Sequence, residues 1–281
     1  MIRLTIALCT AIVFVFLGAS ALRGHGPLHE RIANATRRLE QQPRNASLLV
    51  ERAQLHREHG DRSAATRDLV CALELDKCHV AALVAFAELK LEATDARAAV
   101  ELAERALRAA PETWSAHWAM ARASAQLGEL EVAVKHYTAT IATMAHPTPD
   151  AYLARFHTTR ALGPEHRTAA LAGLDEGIAR MGPLVTLELP AIETELELGR
   201  CDAALERLAL IEKSARRKEH WQVLRAEILA RAGRLEAARA AAAEALVLIA
   251  RVRPHRLTVS LTRLEERARA IAQSPAAGVR Q

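Results

Sequence analysis

Aromatic residues are scarce in this 281-residue sequence: Trp, Tyr and Phe make up 3% of the chain, although 51% of its residues are hydrophobic. Many of the apolar positions hold Ala or Leu instead. This composition is unusual for the core of a globular domain, where large rings usually supply much of the packed volume. Small apolar side chains suit helices that lie close together.

The sequence also lacks long stretches of alternating β-branched residues, and we predict no strand anywhere in it. Ala, Leu, Arg and Glu are strong helix formers, and apolar residues recur at helical spacing. Propensity and pattern together therefore predict an all-α fold.

Motifs of catalysis are missing as well. The sequence has no cysteine pair at metal-site spacing, no glycine-rich phosphate loop and no nucleophile elbow. We therefore predict no catalytic residue, no metal, no cofactor and no enzymatic activity. The alternative is a metal-binding or hydrolytic protein that uses His56 and His59, since imidazole binds zinc and Glu58 and Asp61 lie nearby.

The first residues have the pattern of a targeting segment. A short positive start precedes the uncharged run Leu4 to Leu17, and small residues at 18–21 complete the arrangement of a signal-peptide cleavage site. We predict a signal peptide at residues 1–21 and an exported protein, periplasmic or secreted. The alternative is an uncleaved membrane anchor over residues 4–22, which approach the length that crosses a bilayer.

The most informative feature of the sequence is an internal period. Small and apolar residues coincide when residues 46–79 are aligned with residues 80–113, a shift of about 34 residues. A further shift of the same size reaches Ala121, Gly128 and Ala133. The aligned pairs include Ala53 with Ala87, Ala65 with Ala99, Ala72 with Ala106 and Asp61 with Asp95.

This pattern resembles the tetratricopeptide repeat (TPR). The pattern of that family appears in Ala53, Gly60-Asp61, Ala65 and Ala72, followed by Leu-Glu-Leu-Asp at 73–76. Only the final proline departs, because Lys77 replaces it. The resemblance implies a right-handed solenoid of antiparallel helix hairpins, a TPR-like superhelix that binds proteins or peptides.

Turn glycines at 128, 163, 199 and 233 extend the array towards the end of the chain. Pro190 lies inside the first helix of the fifth unit and should kink that helix or delay its start. The predicted division is an N-terminal helix of a degenerate leading unit at 22–45, three regular units at 46–147, one irregular and two further units at 148–250, and a capping helix with a basic tail at 251–281.

The resemblance also implies a concave groove lined by the first helix of each unit. Trp118 is the best candidate for an anchor, because Trp is enriched at binding hot spots; the alternative is that its ring packs in the core. The predicted groove residues are Val50, Gln54, Arg57, Val84, Glu88, Leu91, Trp118, Arg122, Leu189, Glu193 and Glu227.

Some members of the family clamp the terminal carboxylate of a peptide with Lys, Asn and Arg side chains at fixed positions. In this sequence Val50, Gln54, Ala85, Ser115 and Ala119 stand at those positions, so this clamp is absent. The predicted partner is a protein or peptide. The predicted role is that of an adaptor in an envelope assembly.

The net charge of +5 is concentrated after residue 250. Residues 251–281 contain seven Arg and two Glu. We interpret this end as a capping helix with a solvated arginine-rich face. A nucleic-acid partner is not expected, because the chain is predicted to be exported; membrane association through the uncleaved N-terminal segment remains the alternative.

Overall fold

The computed structural model describes residues 26–251 and 259–274. The predicted signal peptide and the alternative anchor lie outside these ranges. The chain divides into two compact units between His146 and Pro147, and each unit is described by itself. In the described parts of the chain, no helix is long and apolar enough to cross a membrane.

The first unit is built from helices only. Its helices are α1 (Gly26–Gln41), α2 (Ala46–His59), α3 (Arg62–Leu75), α4 (Val80–Glu92), α5 (Ala96–Ala109), α6 (Trp114–Gln126) and α7 (Leu130–Thr143). Each helix contacts the next one along the chain, and α2 also contacts α4, as α4 contacts α6.

Short polar turns separate the helices of the first unit. Asn45 and Asp61 accept hydrogen bonds through their side-chain oxygens from the backbone N–H of Leu48 (3.1 Å) and of Ala64 (2.9 Å). These bonds satisfy donors that the first turn of a helix leaves free. Gly60 closes α2 with φ of 86°, the left-handed conformation that glycine adopts without steric cost. The helix starts and stops are thus encoded locally.

The repeated alanines lie at the centre of the first unit. Ala53 and Ala65 are each 1% exposed, and Ala72 is fully buried. A methyl group at these positions lets neighbouring helices approach closely, and Leu and Val side chains fill the space beside them. The scarcity of aromatic residues therefore follows from the close packing of the helices.

The second unit is also helical. It contains α8 (Pro149–Ala161), a 3₁₀ turn (Pro164–His166), α9 (Arg167–Met181), α10 (Val185–Glu197), α11 (Cys201–Ser214), α12 (Glu219–Arg231), α13 (Leu235–Ala250) and α14 (Val259–Ala272). Successive helices contact each other, and α14 packs on both α12 and α13. The prediction of an all-α repeat fold is confirmed.

Pro190 lies inside α10, which begins five residues earlier at Val185. The delayed start that we considered does not occur. Proline lacks an N–H and leaves one carbonyl of the preceding turn without its helical partner. One turn later, the hydroxyl of Thr194 donates to the carbonyl oxygen of Pro190 at 2.7 Å.

The last helix covers the end of the second unit. Leu261, Leu264 and Ala268 are buried and share a cluster with Val223 of α12 and Ile249 of α13. The structure thus has a helix with a buried apolar face in the region where the sequence predicted a capping helix.

Candidate binding surface

A stripe of large side chains runs along α6 in the first unit. Trp114, Trp118 and Arg122 follow one another four residues apart, a spacing that places side chains on one face of a helix. Trp114 is 45% exposed, and Trp118 and Arg122 are half-buried. We call these three residues the α6 stripe. Sequence reasoning missed Trp114, although its spacing from Trp118 could have found it.

The Trp118 ring is held in place from behind. It packs edge-to-face on Tyr137 of α7, with ring centroids 5.3 Å apart and an interplanar angle of 68°. Tyr137 is buried, which raises the pKa of its phenol, while the nearby positive charge of Arg122 acts in the opposite direction. Trp118 therefore contacts a core residue, as the alternative prediction expected, and its side chain remains partly accessible.

Arg122 differs from the other groove arginine that the sequence predicted. In the described part of the chain it forms no ion pair. Arg57 on α2, in contrast, pairs with Glu88 on α4 and lies 3.8 Å from Glu92. The charges of Arg57 and Glu88 largely neutralise each other, whereas that of Arg122 remains available to an anionic group.

Three predicted groove residues are placed differently by the structure. Val50, Val84 and Leu91 are 5%, 8% and 2% exposed and pack in the core of the first unit. Their assignment to the groove is wrong for a physical reason. The first helices of neighbouring repeats pack directly on one another, and this packing covers the side chains that point towards the next repeat.

Gln54 is exposed and lines a small cavity of about 150 Å³ between α1 and α2. Two ion pairs cross this cavity, Arg31 with Glu58 at 3.2 Å and Arg38 with Glu51 at 2.6 Å. Its walls are therefore charged and internally compensated, which makes it a weaker site for a partner than the α6 stripe.

The three predicted groove residues of the second unit have different surroundings. Leu189 is half-buried on α10, and Glu193 is exposed on the same helix. Glu227 on α12 accepts two hydrogen bonds from Arg267 of α14, at 2.6 and 2.7 Å. The structure thus brings a predicted groove residue together with an arginine of the capping helix.

A buried ionic cluster in the second unit was not predicted from the sequence. The guanidinium of Arg207 on α11 lies 2.6 Å from Asp175, 3.4 Å from Glu188 and 3.4 Å from Glu195. Glu188 is fully buried, and its desolvation raises the pKa of its carboxyl group. Arg207 thus contacts three carboxyl groups, and Arg200 adds a second positive charge 3.6 Å from Glu195. The arrangement joins α9, α10 and α11.

His56 and His59, the residues of the metal-binding alternative, lie near the end of α2. Nε2 of His59 lies 3.3 Å from Nε2 of His29 on α1, so the ring faces the preceding helix. Among the residues that the structure describes, no group of three or more His, Cys, Asp or Glu side chains is placed to hold a metal ion.

The helix hairpins and their buried alanines define an all-α repeat protein. The family model described as tetratricopeptide repeat matches residues 84–151 and 190–251. The chain therefore contains tetratricopeptide repeats in these two regions, and its fold is that of tetratricopeptide-repeat proteins.

Three solved structures illustrate the similarity of fold. A tetratricopeptide repeat protein from Parabacteroides merdae has a TM-score of 0.52 and 15% identity, with 90% of this chain and 96% of that chain covered. PilF from Pseudomonas aeruginosa has a TM-score of 0.54 and 12% identity over 79% of this chain and 96% of its own. YrrB, described as a TPR protein with an unusual peptide-binding site, has a TM-score of 0.51 and 17% identity, covering 64% and 91%.

At these identities the similarity shows the fold and not a shared ligand. A search of curated protein sequences finds no match to the chain. The function is therefore inferred from the repeats and from the surfaces of the molecule itself.

Proposed function

We propose that this protein is an exported, non-enzymatic scaffold that holds a protein or peptide partner on the α6 stripe. The repeats support protein–protein interaction as the general function. The observation that carries the finer proposal is the adjacent placement of Trp114, Trp118 and the unpaired Arg122 on one helix face.

The composition of the stripe supports this role. Trp and Arg are the residues most enriched among those that dominate binding energy, and well-packed anchors cost little conformational entropy when a partner binds. Tyr137 already fixes the Trp118 ring, and the unpaired charge of Arg122 can form a charge-assisted hydrogen bond with a partner. The proposed surface thus combines the fixed ring of Trp118, the exposed ring of Trp114 and the positive charge of Arg122.

Affinity capture from the native host tests the binding role. The tagged full-length chain is used as bait beside Trp118→Ala, Arg122→Ala and the control Arg97→Ala, which removes an exposed arginine of α5 outside the stripe. We expect a partner retained by the wild type and the control to be reduced about tenfold by each stripe variant, because loss of one hot-spot side chain typically weakens binding by about 1–2 kcal/mol or more.

Circular dichroism of each variant checks that helicity is unchanged. If partners are captured equally by all four proteins, the α6 stripe is not the binding surface. A partner lost equally with Arg97→Ala would indicate general charge attraction instead of a site.

The proposed export rests on the pattern of residues 1–21 and has its own test. The mature protein, isolated from cell fractions of the native host, is analysed by mass spectrometry for its first residue. A protein that begins at Leu22 in the exported fraction supports cleavage and release. An intact N-terminus in the membrane fraction would support the anchor over residues 4–22, and an intact chain in the cytoplasm would reject export.

A further inference from the structure

The second unit has an open groove of about 560 Å³ between the start of α12 and the face of α14. Such a volume is within the range of about 300–1,000 Å³ typical of ligand sites. The groove belongs to this unit alone and is separate from the α6 stripe. It is lined by Arg217, Glu219, His220, Trp221, Ser260, Leu261, Arg263, Leu264 and Arg267.

The floor of the groove is apolar. Leu261 and Leu264 are each 6% exposed, and the half-buried ring of Trp221 lies beside them. Trp221 is also in edge-to-face contact with His220, with centroids 5.0 Å apart. A groove of this kind can accept an apolar side chain while its rim remains polar.

The rim carries an excess of positive charge. Arg217 and Arg267 are paired with Glu219 and Glu227 at 2.6 Å, whereas Arg263 forms no ion pair with any described residue. The segment 252–258, which precedes α14, contains no acidic residue that could supply a missing carboxylate. His220 adds charge when it is protonated, but burial and Arg267 lower the pKa of its imidazole.

We propose that this groove binds an acidic segment of a partner protein, with an apolar side chain on Trp221 and Leu264 and a neighbouring carboxylate on Arg263. An arginine binds a carboxylate through two parallel hydrogen bonds, and this pair is stronger where water is partly excluded. The site lies outside the α6 stripe and gives the second unit a binding role of its own.

A peptide fits this site better than an anionic membrane does. The apolar residues lie at the bottom of a groove and are 6% exposed, so a broad lipid surface would contact the arginine rim without reaching Leu261 or Leu264. An extended segment of alternating acidic and apolar residues can place an apolar side chain on the floor of the groove and a carboxylate at its arginine rim.

The test uses the full-length chain with Trp114→Phe and Trp118→Phe, which leaves Trp221 as the only tryptophan and also alters the α6 stripe. The probe is a synthetic peptide that repeats Glu-Phe-Glu-Leu, and the comparison peptide repeats Lys-Phe-Lys-Leu. Titration is followed by Trp221 fluorescence. We expect saturable binding of the acidic peptide and at least about tenfold weaker binding of the basic one, since opposed charges are required.

Two substitutions localise the binding. Arg263→Glu should weaken the acidic peptide about tenfold or more, and Arg263→Gln by a smaller factor. The matched control is Arg269→Glu on the same helix, an exposed arginine that pairs with Glu265 and does not line the groove. It should change the affinity by less than about twofold.

Several results would overturn the proposal. These are the absence of saturable binding, equal affinity for the two peptides, or equal losses in Arg263→Glu and Arg269→Glu. Vesicles of phosphatidylglycerol that shift Trp221 emission in an Arg263-dependent manner, while the acidic peptide does not bind, would assign the groove to a membrane instead. A failure here leaves capture through the α6 stripe intact, because that test depends on Trp118 and Arg122.

Discussion

Thr94 is in a backbone conformation that is unfavourable for its side chain. Its φ is 59°, the one positive value at a non-glycine residue in the described chain, and it stands where the neighbouring repeats have Gly60 and Gly128. A β-branched residue in the left-handed region costs about 1–2 kcal/mol relative to glycine. The second repeat therefore keeps the turn of its neighbours at an energetic cost.

Replacing this threonine should stabilise the protein. We expect Thr94→Gly to raise the free energy of unfolding by about 0.5–1 kcal/mol, because relief of the strain exceeds the extra entropy that glycine has in the unfolded chain. Urea denaturation followed by circular dichroism measures the change. Thr94→Ala, which keeps a Cβ at positive φ, is the control and should gain much less; an equal gain would show that the strain is not the cause.

The histidine pair of the first unit makes stability depend on pH. His117 Nε2 donates to the carbonyl oxygen of Pro111 at 2.9 Å, which leaves its Nδ1 to accept from Nδ1 of His136 at 3.0 Å. Burial is the main cause that lowers the pKa of His136, followed by the charges of His117 and Lys135. Nε2 of His136 is then the nitrogen that takes up a proton, and this would place a positive charge on a half-buried ring beside Lys135.

The sign of the effect follows from this lowered pKa. The unfolded chain takes up a proton near pH 6.5, while the folded chain takes it up only at lower pH, so the unfolded state binds more protons and stability falls as the pH drops below about 6.5. We expect denaturant midpoints to fall less steeply between pH 7 and pH 5 in His136→Gln than in the wild type. The raised pKa of Glu188 acts in the opposite direction and is present in both proteins; identical slopes would show that His136 does not contribute.

Two glycines of α9 differ in what surrounds them. A Cβ on Gly177 would lie 2.9 Å from the Tyr152 ring of α8, closer than side chains tolerate, and Tyr152 is fully buried. The nearest atoms to a Cβ on Gly173 would be those of the Arg155 guanidinium, at 3.4 Å, which is ordinary van der Waals contact. The irregular fourth repeat thus depends on one glycine for the close approach of its two helices.

This difference predicts opposite effects for one substitution. Gly173→Ala should stabilise the protein by up to about 1 kcal/mol, because alanine has the higher helix propensity. Gly177→Ala receives the same propensity gain but should be destabilising by about 1–3 kcal/mol, the usual cost of overpacking a core. Thermal and urea denaturation of the two variants measure both values. Similar stability of the two variants would mean that α8 and α9 can separate without cost.

The helices were largely predictable from the sequence, whereas the surface was predictable only in part. The period of small residues indicated α2 to α7 because each alanine marks a close contact that recurs in every repeat. Register predicted that Trp118 and Arg122 share a face of α6, where neither side chain is fully buried; their role in binding stays a prediction. Val50 and Val84 were misassigned. Register predicts the helix face on which a residue lies, but it does not predict which side chains of that face are buried by the next helix. Arg207 was missed because its partners come from two other helices, α9 and α10, at positions that no sequence spacing relates to it.

At the scale of the whole molecule, each unit contains its own buried clusters. In the first unit one cluster joins α1 to α4 and another joins α4 to α6, and the alanines of α6 complete the second cluster. Repeat proteins derive stability from such contacts between neighbours. The first unit should therefore not need distant parts of the chain in order to fold.

Expression of residues 26–146 alone tests this expectation. We predict a helical fragment with a cooperative urea transition, because every cluster named for the first unit lies within it. Residues 26–109 provide the comparison: they lack α6, and so expose Val84 and Leu91, which the alanines of α6 cover. Each fully exposed side chain of this size costs about 1.5–3 kcal/mol, so the shorter fragment should unfold at clearly lower urea concentration. Equal midpoints for the two fragments, or a longer fragment without a cooperative transition, would contradict a stability built from neighbouring repeats.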